Sequence, residues 1–268
     1  MNEKNYEYLT NQLKYTGFEG LDSQLKAKLD QQLSQFTLSH QAKFGNDTVN
    51  CDLNFTKSNK TDMYFFNNYQ IHLQKENSKE NLKQTFYINS KGDHNFSLDE
   101  AYNLMSERCV RKTLVDKNDQ LYNAWVQINF TDAYSNGNYK LHQYRTEYGF
   151  SLNAALEKHP IKELGNLPDK LNLLNSLEKG NRQPVTFQLQ GKEEIRFIEA
   201  NPQFKSINIY DSNHQRLRHK QVNGEKQVPE DNTQRQNAKK ESQSAENDDG
   251  PDMPASKKKR SRKQSNSI

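Results

Sequence analysis

Apolar residues are scarce in this 268-residue chain, at 32% against about 45–50% in an average soluble domain counted with glycine. The shortage is uneven. Residues 220–268 hold 7 apolar residues in 49 and no Phe, Tyr, Trp or Leu. Such a segment buries too little to offset its ordering entropy, so 220–268 is expected to be a disordered tail. No run approaches the ~18 apolar residues of a membrane span, and Met1 to Asn5 open no apolar stretch, so neither a span nor a secretory signal is expected. Cysteine is rare too, with only Cys51 and Cys109. Both sit in phase with apolar neighbours, Cys51 on a strand face and Cys109 on a helix side with Tyr102 and Met105. They read as small core residues in a reducing compartment, not as a disulfide or a nucleophile.

Chemical motifs are also missing. There is no glycine-rich phosphate loop, no Cys-x-x-Cys and no His-Glu-x-x-His helix. The seven histidines are scattered; His214 and His219 lack a third ligand nearby, and His142 alternates onto a polar strand face. Asp99 and Glu100 sit where acids favour a helix start anyway. No catalytic residue, metal ligand or cofactor is assigned, and a non-enzymatic role is expected. An enzyme would need a pocket gathering at least two of Cys109, His94, His142 and Asp132.

What is present is charge, unevenly placed. The net charge is +4; residues 220–268 carry 11 Lys/Arg and 8 Asp/Glu, leaving 27 and 26 in residues 1–219. The excess is concentrated in Lys257, Lys258, Lys259, Arg260, Arg262 and Lys263. Such a run suits a polyanion, and neutralising about six phosphates gives a log–log salt slope of roughly −4 to −5 on duplex DNA. The acids Glu246, Asp248, Asp249 and Asp252 lie upstream at a flexible-linker distance of roughly 18 Å, so they weaken the run without silencing it. A merely solubilising polyampholyte tail stands as the other reading.

Residues 1–34 read as a helical hairpin. Tyr6, Leu9 and Leu13 recur at helical spacing, Gly17 supplies a left-handed ending with Phe18 beyond it, and Leu21, Leu25, Leu29 and Leu33 mark the second helix. The period then becomes two: Val49, Cys51, Leu53, Phe55; Tyr69, Ile71, Leu73; and a strand over 82–89 with Phe86 and Ile88. Ser97 and Glu100 form a capping-box pattern before Leu98, Ala101, Tyr102 and Met105. Residues 35–112 thus make a first antiparallel sheet plus helix unit.

Residues 113–219 make a second unit with terminal hairpins. INFT at 128–131 repeats LNFT at 53–56, and FSL at 150–152 repeats FSL at 96–98. A duplication and a chance recurrence both account for this. Val126, Ile128 and Phe130 share one face, with Trp125 on the other, and Asn136-Gly137-Asn138 is the turn. Leu152, Ala155 and Leu156 stripe a helix that Pro160 ends. A last helix runs from Pro168 to Gly180 with Leu167, Leu171, Leu174 and Leu177 inward. Strands follow through Val185 and Phe187, Ile195 and Phe197, and Ile207 and Ile209. The fold class is α+β, with antiparallel sheet units covered by helices.

Two segments, LEKGNRQPVTF at 177–187 and FIEANPQFKSINIYD at 197–211, carry a family signature. With DMYFFN at 62–67, NAW at 123–125 and HPIKEL at 159–164, residues 1–217 resemble a domain-of-unknown-function family carried by bacterial conjugative transposons and related mobile elements. The resemblance implies a bacterial cytoplasm and a mobile-element setting, and transfers no site residue.

The polar side of the final strands gathers Arg182, Lys192, Arg196, Lys205, Arg216, Arg218 and Lys220 among Phe204 and Tyr210. Cations beside aromatics on a sheet hold single strands by phosphate contact and base stacking, although Glu193, Glu194, Glu199 and Asp211 dilute this patch. The expected function is therefore that of an accessory or binding protein of a mobile element. Its expected partners are DNA or RNA, or other mobile-element proteins, and no membrane. The alternative is a protein-interaction scaffold with a solubilising tail. The residues carry no signal for an oligomeric state.

Overall fold

The computed structural model describes residues 2–76, 81–89 and 94–218. The expected tail, with its six cations, lies outside the described residues, as do His219 and Lys220.

The Asn2 side chain accepts the Asn5 N–H (3.2 Å) and starts α1, Glu3–Tyr15. Gly17 is left-handed (φ 81°), and Phe18 N–H reaches the Leu13 carbonyl (2.8 Å) while Gly17 N–H reaches Lys14 (3.0 Å). These are the paired bonds of a Schellman ending. Helix α2, Asp22–Asp30, stops before the predicted stripe does. Gln32 takes φ 52° and swings the chain outward, so Leu33 is 43% exposed instead of continuing the leucine row.

Strands β1 (Gln35–Phe44), β2 (Asp47–Lys57), β3 (Tyr64–Gln74) and β4 (Asn81–Tyr87) form an antiparallel sheet in that order. Alternation dictates burial. Leu38, Val49, Cys51, Leu53, Phe55, Tyr69, Ile71, Leu73 and Phe86 share one buried cluster with Leu9, Leu13, Phe18, Leu25 and Leu29. Each such side chain contributes about 1.5–3 kcal/mol by leaving water.

Helix α3, Leu98–Met105, has the expected capping box: Ser97 Oγ accepts Glu100 N–H (3.3 Å), and the Glu100 carboxylate accepts Ser97 N–H (2.9 Å). Cys109 is not on this helix. Glu107 takes φ 67°, and Arg108 N–H bonds the Asn103 carbonyl (3.0 Å), closing the helix four residues earlier than the apolar spacing implies.

Strands β5 (Val110–Val115), β6 (Leu121–Ala133) and β7 (Tyr139–Arg145) form a second sheet with β6 central. Helices α4 (Leu152–Leu156) and α5 (Leu167–Glu178) lead to a third sheet, β8 (Gln183–Leu189), β9 (Lys192–Asn201) and β10 (Ser206–Tyr210), with β9 central. Residues 113–219 therefore contain parts of two sheets, and the 112/113 boundary falls inside β5. The two recurring segments occupy equivalent places: LNFT in β2 and INFT in β6, with Ser97 capping α3 and Ser151 capping α4.

Strand β6 is buried on both sides. Val126 and Ile128 join the first cluster, whereas Trp125 joins a second one with Leu156, Leu177, Val185, Phe187 and Ile198. On α5 Leu173 and Leu177 are buried and Leu174 packs partly against the same cluster, while Leu167 and Leu171, expected inward with Leu174 and Leu177, are 67% and 50% exposed. The phase follows from Gly180, where a Cβ would stand 2.9 Å from both the Cys109 carbonyl and Val110 Cγ2. That close approach turns Leu177 into the cluster and the Leu167–Leu171 row away from it. Between the sheets, the Gln84 amide imitates a strand neighbour. It accepts Tyr139 N–H (2.9 Å) and donates to the Tyr139 carbonyl (3.1 Å). Asn5 does the same at Tyr64 (2.7 and 2.9 Å). Among the described residues, no helix is long and apolar enough to cross a membrane.

Candidate functional site

The signature segments converge on the third sheet. Period two sends Val185, Arg196, Ile198, Ala200, Ile207 and Ile209 to one face, where all are buried. Pro184, Phe197 and Tyr210 line up across the other face, and Glu199 lies opposite Asn208 in the next row.

Glu199 organises that outer face. Its two oxygens accept Arg182 Nε–H (2.7 Å) and Tyr210 O–H (2.7 Å), and the Arg182 guanidinium lies 3.9 Å above the Tyr210 ring. Glu199 is only 5% exposed, and a carboxylate so buried needs a partner such as that arginine. Burial, followed by the neighbouring carboxylate, pushes the Tyr210 phenol up to about 12. Asn208 Oδ1 accepts both Arg216 Nη2–H (2.6 Å) and Asn201 Nδ2–H (2.7 Å). The His214 ring sits 4.2 Å from that of Phe197. The Asn201-Pro202 corner is a short 3-10 turn, Pro202–Phe204, that ends on left-handed Lys205 (φ 48°).

The sequence expectation of one cationic face is corrected here. Arg182 and Arg216 do flank Tyr210. Arg196 lies on the opposite face, 6% exposed, with its guanidinium 4.9 Å over Phe187 and an ion pair to Glu194 (2.9 Å). The reason is register: 196 shares its parity with Ile198, not with Phe197 and Glu199. Lys205 stands at the corner over Tyr148 (4.7 Å), beside exposed Phe204. Arg218 is exposed at the end of the described chain.

Asn103 and Arg108, which sequence reasoning missed, tie the end of α3 to the segment that leads into β8. Arg108 Nη2 donates to Asn103 Oδ1 (2.6 Å), and Asn103 Nδ2 donates to the Lys179 carbonyl (2.6 Å) and Asn181 Oδ1 (2.8 Å). An asparagine on the inner face of an apolar helix was the available signal, because a buried amide must find partners.

Elsewhere the body's cations meet its own acids: Lys112–Glu100 (2.5 Å), Arg111–Glu178 (2.6 Å), Lys162–Glu193 (2.8 Å), Lys170–Glu157 (3.0 Å) and Lys57–Asp62 (3.1 Å). Of the conceivable catalytic groups, Asp132 pairs with Lys140 (3.0 Å). Burial raises both thiols, Cys51 to about 12 and Cys109 beyond the range of ordinary thiols. Both stay protonated, the poorly nucleophilic form. Among the described residues, no three of His, Cys, Asp and Glu are placed to hold a metal ion. No family model, curated protein or solved structure matches the chain.

Proposed function

We propose that this protein is a non-enzymatic accessory protein of a bacterial mobile element, acting in the cytoplasm. Lys257, Lys258, Lys259, Arg260, Arg262 and Lys263 attract nucleic acid, and the folded body docks a DNA-processing partner. One observation carries the division of labour. Residues 1–219 are nearly balanced, with 27 Lys/Arg against 26 Asp/Glu, and several of those cations pair with the body's own acids, among them Arg182 with Glu199 and Arg196 with Glu194, so the excess positive charge is concentrated in 257–263. Arg216 and Arg182 supply a secondary contact beside Tyr210. Two buried free thiols fit a reducing compartment. In the same reading α1 and α2 are a helical hairpin laid over the first sheet, and α5 covers the third.

The test is fluorescence anisotropy of labelled single-stranded and duplex DNA across salt, using the full chain. The parent binds duplex with a log–log slope of about −4 to −5. Replacing all six tail cations by Gln removes most of the affinity and flattens the slope, whereas R182Q or R216Q changes the slope by about one or less. No binding at low salt, or undiminished binding by the six-fold variant, overturns the proposal in favour of an interaction scaffold with a solubilising tail.

A further inference from the structure

Strand β1 is an outer strand of the first sheet, and its hydrogen-bonding phase is set by the turn that follows it. Phe44 pairs with Asp47 across the two residues Gly45 (φ 61°) and Asn46. In such a hairpin the flanking pair exchanges hydrogen bonds, and alternation assigns the same role to Ala42, His40, Leu38 and Phe36. At the other end Lys57 N–H bonds the Ser34 carbonyl (2.8 Å), which keeps the same phase. The N–H and C=O groups of Gln35, Thr37, Ser39, Gln41 and Lys43 therefore point away from the sheet, and all five residues are exposed.

The outer edges of β8 and β4 are closed by specific devices. On β8, Pro184 offers no N–H, Thr186 N–H is taken by the Glu163 carboxylate (2.9 Å), and Gln188 N–H by the Pro160 carbonyl (2.9 Å). On β4, Thr85 N–H is taken by Asn138 Oδ1 (3.1 Å). Strand β1 has no proline, no bulge in its pairing with β2, and one formal charge, Lys43. Its ten residues span about 34 Å of straight ladder. An edge of this kind is a template for another strand.

We propose that β1 is a homodimerisation edge. It pairs antiparallel with β1 of a second copy about a two-fold axis at Ser39, joining two four-stranded sheets into one. Ser39 is the centre that uses every outward-facing residue. Ser39 meets Ser39, Thr37 meets Gln41, and Gln35 meets Lys43, each pair exchanging two backbone hydrogen bonds. Charge fits this register, because each Lys43 faces a neutral glutamine and the two lysines lie at opposite ends of the joint. The solvent side fits as well. Thr37, Ser39 and Gln41 already extend polar rows through Asn54 (2.9 Å), Asp52 (3.1 Å) and Asn50 (2.7 Å), and the joint continues those rows. A second copy is thus a self-complementary occupant for this edge. Strand pairing alone buries little surface, so the dimer is of the weak, roughly micromolar class. It would present two cationic segments to one polyanion.

Sedimentation velocity of the full chain from about 1 to about 200 µM reads the outcome. The parent shifts from 31.3 kDa toward twice that mass as concentration rises. Ser39→Pro removes one outward N–H and leaves the β1–β2 bonds in place, and it weakens the dimer at least tenfold. T37K/Q41K sets cations face to face twice across the joint and does the same. T37K/Q41E loses the same side-chain bonds but sets opposite charges across the joint, and it dimerises as the parent does. A parent that stays monomeric throughout overturns the proposal. So does a dimer indifferent to both Ser39→Pro and T37K/Q41K, or one lost equally in the two charge variants. If Ser39→Pro lowers the thermal midpoint, the two charge variants decide alone.

Discussion

His40 lies half-buried on the inner side of β1, edge-on to Phe18 with ring centroids 5.5 Å apart. Burial lowers its pKa below 6.5. A lowered value means that the folded state binds fewer protons than the unfolded one between the two pKa values, so stability falls as pH drops through that window. The urea midpoint of the parent should decline between about pH 7 and pH 5, and His40→Gln should remove part of that decline. An unchanged slope in the variant would mean that the imidazole is already solvated. At this scale legibility was mixed. The Ser97–Glu100 box and the Gly17 ending could be read because their residue types are specific to those jobs. Glu107 could not, since a left-handed glutamate at a helix end resembles any other surface acid. Arg196 was assigned to the wrong face because its charge outweighed its parity in the reading.

Strands and helices meet here through amide side chains that stand in for missing strand neighbours. Gln84 satisfies both backbone groups of Tyr139 from a position 4% exposed. Gln84→Ala leaves two backbone groups without partners where the sheets meet, at about 1–3 kcal/mol each if water does not enter. An expected loss of about 2–6 kcal/mol in chemical denaturation follows. Gln84→Glu keeps the acceptor but sets a buried, unpaired carboxylate against the Tyr139 carbonyl, so it should cost at least as much as the alanine. Alternation made β2, β3 and β4 legible as elements. The orientation of α5 was half legible: Leu174 and Leu177 do face the second cluster, but Leu167 and Leu171 belong to a neighbouring row that turns away. The close approach of Gly180 to the Cys109 carbonyl, distant in sequence, and the packing of α5 on the second cluster select between them. The third-sheet site was half legible. Its aromatic and cationic types were visible, but the Glu199 bonds that consume them depend on pairing across strands.

For the molecule as a whole, the two buried clusters are not independent, since β6 belongs to both. Trp125 reports on the second cluster, and tyrosines and far-UV dichroism weigh the first more heavily. A shared central strand predicts one cooperative transition, with tryptophan fluorescence and far-UV dichroism giving the same urea midpoint. Separated midpoints would show that the clusters melt apart. Nothing in the sequence announced this arrangement. Trp125 read as one side of an ordinary one-faced strand, and the second covering layer comes from residues further along the chain, from Tyr144 and Leu152 on to Ile209.

The double-sided strand also bears on how the gene product is handled. A proteolytic nick on either side of 121–133 strips one apolar flank from each piece, and a premature stop there does the same to the truncated chain. Partial products of this chain are therefore candidates for disposal, with no surviving smaller version that keeps half of the interior.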